Sequence, residues 1–105
     1  MAQFDVYRNT NASTRAGIPY LLDVQSDLLE PLATRVVVPL AKPEILGGKL
    51  AERLSPVFQV EGRNVAMLTP ELAGVSRKLL GERVASLVGE RQSIVAALDL
   101  VFTGI

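Results

Sequence analysis

PVFQVEGRNVAMLT, residues 56–69, alternates apolar and polar residues on either side of Glu61-Gly62. Alternation is the period of a strand, and the glycine supplies the positive φ that a tight turn demands, so the segment predicts a β-hairpin. Working upstream, TRVVVPL (34–40) and IPYLLDVQ (18–25) are rich in β-branched and aliphatic residues and predict two further strands. Pro39 and Pro19 stand near their ends, where a missing N–H does least harm. QFDVYR, close to the start, puts Phe4 and Val6 on one face and Gln3, Asp5 and Tyr7 on the other. NTNASTRAG after it is a loop by composition. SDLLEPLA, between the two upstream strands, is too short for an ordinary helix and too apolar for an ordinary loop.

Nearer the hairpin, Pro43 and Gly47-Gly48 break any helix on the N-terminal side of AKPEILGGKLAERL, leaving a loop with one helical turn at 49–54. PELAGVSRKLLGERV predicts another short strand near residues 75–79. Farther on, Val84, Leu87, Val88, Ile94, Val95, Leu98, Val101 and Phe102 recur at helical spacing, interrupted by Gly89, after which the helix begins in earnest. A 100° wheel puts Leu87, Ile94, Leu98, Val101 and Phe102 in one stripe, against the sheet. The other stripe holds Gln92, Ala96, Asp99 and Thr103 beside an exposed Leu100. It carries neither lysine nor arginine. A smooth face of this kind suits a protein partner, because interface cores are depleted of charge. The fold class is therefore mostly β with a C-terminal α-helix, one domain over residues 1–105.

Composition narrows the function. The 105 residues are 49% hydrophobic and carry eleven basic against eleven acidic side chains, a poor balance for holding nucleic acid by charge. Cysteine and histidine are absent, which excludes disulfide scaffolds, thiolate zinc sites and Ser-His-Asp triads. No catalytic residue, metal or cofactor is expected. No targeting segment and no bilayer-length apolar run occur, so a cytoplasmic protein is expected. GGKL (47–50) lacks the spacing of a phosphate loop. Asp23, Asp27 and Glu30 fit no strict metal-ligand pattern, and acidic residues are commonplace at turns. Leu28 and Leu29 cannot both point into one face of a sheet, since neighbours alternate. They are either a plug under the loop or a contact site. The terminal Thr103-Gly104-Ile105 follows the smooth helix stripe with no polar tail after it.

QFDVY, DVQSDLLE, VVVPLA, LSPVFQV, MLTPELAGV, GERVASL and ALDLVFTGI, in this order and nearly end to end, resemble the CcdB family of bacterial toxins. The resemblance implies a small SH3-like or CcdB-type barrel of antiparallel sheets with a C-terminal helix, acting as a homodimer and not as an enzyme. It implies a toxin that binds the A subunit of DNA gyrase and traps the cleaved DNA–gyrase complex, giving double-strand breaks and growth arrest. A cognate antitoxin neutralises such toxins, and the pair represses its own operon. Matched position by position, the gyrase surface would use Leu28, Leu29, Asp99, Phe102, Thr103, Gly104 and Ile105. The antitoxin side would use Arg8, Asn9, Thr14 and Arg15. Thr103 stands where well-known members have a tryptophan, Asp99 replaces an amide, and the loop at 9–17 is about three residues longer. The same barrel also carries mRNA-cleaving toxins, although Arg15, Arg35 and Arg63 are dispersed in this sequence. A relative that binds antitoxin without poisoning is the third reading.

Overall fold

In the computed structural model, which describes residues 2–46 and 53–104, the hairpin forms as its sequence predicts. β4 (Val57–Val60) and β5 (Arg63–Met67) pair Val60 with Arg63 across a two-residue turn. Glu61 (φ 52°) and Gly62 (φ 76°) both adopt the left-handed region. That is the geometry of a type I′ turn, whose twist matches that of the strands.

The remaining strands extend this hairpin into an antiparallel sheet. β1 (Asp5–Asn9), β2 (Tyr20–Asp23), β3 (Thr34–Ala41) and β7 (Leu80–Ser86) complete the order β4-β5-β3-β2-β1-β7. β6 (Ala73–Ser76) pairs with the first half of β3, and β5 with its last two residues. Pro39 sits inside β3 rather than near a harmless end. Its carbonyl accepts from Leu68 N–H, so its nitrogen faces the seam where β6 has left β3 and β5 joins it. A ladder bond is not needed there.

Three expectations need correction. GERVASL does not open the helix: residues 80–86 form β7 along β1, and the helix, α1 (Arg91–Thr103), follows a 3₁₀ turn at Val88–Glu90. The break at Gly89 was legible; the strand before it was not, because its partner lies some eighty residues upstream. The strand placed near 75–79 ends at Ser76, and Arg77–Leu79 is a 3₁₀ turn. Pro43 opens a 3₁₀ turn (Pro43–Leu46) instead of preventing one, since its missing N–H is unneeded at a first helical position. Of the turn expected at 49–54, residues 49–52 lie outside the described residues.

The apolar core fills one side of the sheet and is closed by α1 through Ile94 and Ala97, both fully buried. The other side of β1 is not solvated as the alternation suggested, for Asp5 and Tyr7 are buried too. Strand parity gathers Asp5, Tyr7, Asp23 and Arg35 there, and Arg83 of β7 closes the cluster with an ion pair to Asp5 (3.0 Å). No helix among the described residues is long and apolar enough to cross a membrane.

Candidate protein-binding site

Two surfaces carry the residues singled out by sequence. The first is the segment after β2. Ser26 Oγ accepts from Leu28 N–H and Leu29 N–H bonds back to Ser26 O, which winds Asp27–Leu29 into a 3₁₀ turn. The turn has no buried side chain, and Leu28 is 90% exposed. Leu29 and Leu32 stand half-exposed beside it. Of the two readings for the leucine pair, the plug under the loop is thus the wrong one for Leu28.

Asp23, Asp27 and Glu30 are not an acidic group. Each answers a different partner. Asp23 Oδ2 takes Nε (2.9 Å) and Nη2 (2.6 Å) of Arg35, and both side chains are fully buried. Burial pushes the Asp23 carboxyl up, against the Arg35 guanidinium and the Gln25 N–H, which favour its charged form. Asp27 Oδ1 accepts from Gln3 N–H (2.7 Å), and Glu30 pairs with Arg77 (2.8 Å). Among the described residues no cluster of acidic side chains could hold a metal ion.

The second surface is the outer face of α1. Gln92, Ala96, Asp99 and Thr103 are exposed as the wheel predicts, whereas Leu100 is half-buried rather than exposed. Arg91, Gln92, Val95, Ala96 and Asp99 line a shallow groove of about 420 Å³ along this face. The wheel fails at Phe102, which is 67% exposed. Ile94 and Ala97 are sealed while Leu98 and Val101 are only half-buried, so the helix runs out of sheet to cover its last turn. Thr103 Oγ1 donates to Asp99 O, and Gly104 ends the helix at φ 74° with its N–H on Leu100 O. A residue with a Cβ is disfavoured at that left-handed cap. Ile105 lies outside the described residues.

Polar contacts join the two surfaces only at the start of α1, and none among the described residues reaches its end. From the leucine turn the hydrogen bonds run Asp27 to Gln3 and Gln3 to Arg91, the first residue of α1. Among the described residues none links the turn to Asp99, Phe102, Thr103 or Gly104. Phe4, next to Gln3, carries a left-handed backbone (φ 72°) in the core, fixed by its N–H on Asp23 O and its carbonyl on Leu87 N–H. The Arg91 guanidinium lies 5.6 Å from its ring centre.

The candidates on the other side of the molecule form a stapled loop. Asn9 Nδ2 donates to Thr14 Oγ1 (3.0 Å) and Ile18 O (2.8 Å), closing residues 9–18 on themselves. Arg8 is already engaged by Glu61 (2.9 Å) and Glu82 (3.2 Å), and Arg15 is exposed. Asn9 and Thr14 share a groove of about 210 Å³ with Ile18, Leu21, Val75 and Leu79. Asn9 thus acts on loop shape, and Arg8 is less free than its sequence suggests.

The sequence reading missed Gln25 and Arg77, which hold the leucine turn, and the structural role of Arg35, which holds Asp23 behind it. A signal existed for one of them: Arg35 alternates in register with Val37 on the face opposite Val36, Val38 and Leu40, which marks a second, polar interior.

Comparison with known proteins completes the picture. The family model described as CcdB protein matches residues 3–104. Among solved structures, the chain is similar to an endoribonuclease in complex with its cognate antitoxin from a mycobacterial species, with TM-score 0.75 and 14% identity over 96% of this chain and 93% of that one. At that identity the likeness is one of fold.

Proposed function

The chain belongs to the CcdB family of toxin–antitoxin toxins, and from that premise we propose that it binds the A subunit of DNA gyrase and traps the cleaved DNA–gyrase complex. The observation that carries this reading is Leu28: an apolar side chain 90% exposed on a turn tied down at Asp27 before it and at Leu29 and Glu30 after it. A rigid exposed leucine is suited to a partner, since little ordering entropy remains to be lost when it docks. Leu29, Asp99, Phe102, Thr103, Gly104 and Ile105 complete the proposed surface. Because the turn and the helix end are separate patches on one chain, a homodimer would present both to a two-fold partner. The toxin acts by binding, in the cytoplasm, without cofactor, metal or direct contact to nucleic acid. Its cognate antitoxin covers the side of Arg8, Asn9, Thr14 and Arg15, and the pair represses its operon.

The mycobacterial fold neighbour favours a second reading, an endoribonuclease of the same barrel. Against it, Arg35 is sealed onto Asp23 and Arg63 lies over the Tyr20 ring, so these two arginines do not form a common anion site with Arg15. Purified protein, gyrase and supercoiled DNA test the proposal. Linear DNA released by denaturant and protease is expected. Cleavage of RNA with no linear DNA overturns it.

A further inference from the structure

The turn that carries Leu28 and Leu29 has no fully buried side chain, so holding one conformation needs anchors that offset its backbone entropy. Most of them converge on the two carbonyls that end the turn. Arg77 Nη2 donates to the Glu30 carbonyl and to Glu30 Oε1. Gln25 Nε2 donates to the Leu29 carbonyl (3.1 Å).

Gln25 is the more informative of the two anchors. Its Oε1 accepts from Val36 N–H (3.0 Å), and its own N–H donates to Asp23 Oδ1 (3.0 Å), the carboxylate held by buried Arg35. One amide, 5% exposed, therefore links β3, the buried ion pair and the turn. Only an amide of this length has a donor for the turn and an acceptor for the strand at opposite sides of one planar group. Methionine would fill the same volume, leave Val36 N–H unpaired and leave Leu29 O with only the local Leu32 N–H (3.0 Å). Glutamate would keep the acceptor and, in its charged form, lose the donor.

We propose that Gln25 is a positioning residue for the partner contact: it fixes the backbone on which Leu28 and Leu29 are presented, while being too buried to contribute surface itself. This rests on the reading of the leucine turn as the gyrase contact, and the test separates the two.

Gln25→Met and Gln25→Glu are made in the parent and in Leu28→Ala, whose truncated side chain is solvent-exposed. Affinity for a gyrase fragment carrying the toxin-binding region is measured by calorimetry, together with melting temperature and amide hydrogen exchange. In the parent background each substitution weakens binding by about 10-fold, and in Leu28→Ala by less than about 2-fold, because coupled neighbours are non-additive. Exchange at residues 28–30 accelerates while the β2–β3 ladder stays protected. Equal weakening in both backgrounds, or unchanged affinity in the parent background, overturns the proposal. If Gln25→Met fails to fold, Gln25→Glu, which keeps the bond to Val36, carries the comparison. A folded parent that does not bind the fragment overturns the functional reading instead. Exchange then decides the positioning alone: acceleration confined to 28–30 upholds it, and a uniform or absent change removes it.

Discussion

Replacing Arg35 by methionine removes the cation of a fully buried pair and leaves the other half in place. Asp23 then loses two charge-assisted hydrogen bonds, at 2.9 and 2.6 Å, and keeps only the Gln25 N–H. Breaking one partner of such a pair costs about 3–5 kcal/mol, because an uncompensated charge stays buried. For a domain of this size that corresponds to a fall in Tm of roughly 15–30 °C. The loss has a pH signature. Burial already pushes the Asp23 carboxyl up, and Arg35 opposes the shift, so its removal raises the carboxyl further. A group whose folded pKa is raised contributes most below its unfolded value, about 3.9 for Asp, and loses that contribution as pH rises. The deficit of Arg35→Met against the parent should therefore be larger at neutral pH than near pH 4.5. Urea unfolding of both proteins at the two pH values measures it. Arg35→Met/Asp23→Leu, which removes both charges, should come back to within about 1.5 kcal/mol of the parent. A single-variant deficit below about 1 kcal/mol, equal at both pH values, would show that water reaches the pair and refute the reasoning.

Three further outcomes follow from exposed positions. Leu28→Asp should leave Tm within about 3 °C of the parent, as surface substitutions do, while lowering affinity for the gyrase fragment more than about 100-fold by placing a charge in a desolvated contact. A variant that melts far lower would mean the leucine supports the fold. Gly62→Ala puts a Cβ on a left-handed residue (φ 76°) in open space, so strain alone should cost about 1 kcal/mol in urea unfolding, and a gain in stability would contradict the type I′ turn. The Glu61 carboxyl is held low by the Tyr20 hydroxyl (2.6 Å) and by Arg8 and Arg63. Its contribution is complete above the ordinary value of 4.5 and is lost as pH falls through the lower folded value. Glu61→Gln should flatten the stability profile below that point, and an unaltered acid slope would rule the contribution out.

What the sequence made legible was local. The hairpin at 57–67 needs only alternation and a glycine at the turn, and both are visible within fourteen residues. Leu28 was legible as a candidate surface residue for an equally local reason, that adjacent side chains cannot share a face. β7 was hidden because Val84, Leu87 and Val88 happen to fall at helical spacing, and only the open edge of β1 decides against it. Phe102 was misplaced because a wheel reports direction and not how far the sheet reaches. The acidic side chains around the turn were the hardest to read. Asp23, Asp27 and Glu30 look like a group in sequence, yet they answer Arg35, Gln3 and Arg77, which lie 12, 24 and 47 positions away.

That distribution has a physical meaning for the site. An apolar pair in a loop is cheap to encode, since two leucines suffice, but by itself it would be a mobile hydrophobic liability. Turning it into a contact of fixed shape takes donors aimed at the Leu29 and Glu30 carbonyls, and those donors come from different parts of the chain. The Asp23–Arg35 pair stands behind one of them. A buried ion pair is a poor source of stability, because desolvation consumes most of its attraction. Its value here lies in direction: with Oδ2 taken by Arg35, Oδ1 is left to orient Gln25, and Gln25 orients the turn. Arg35→Met/Asp23→Leu should accordingly recover stability without recovering affinity for the gyrase fragment. A double variant that regains both would reduce the pair to packing.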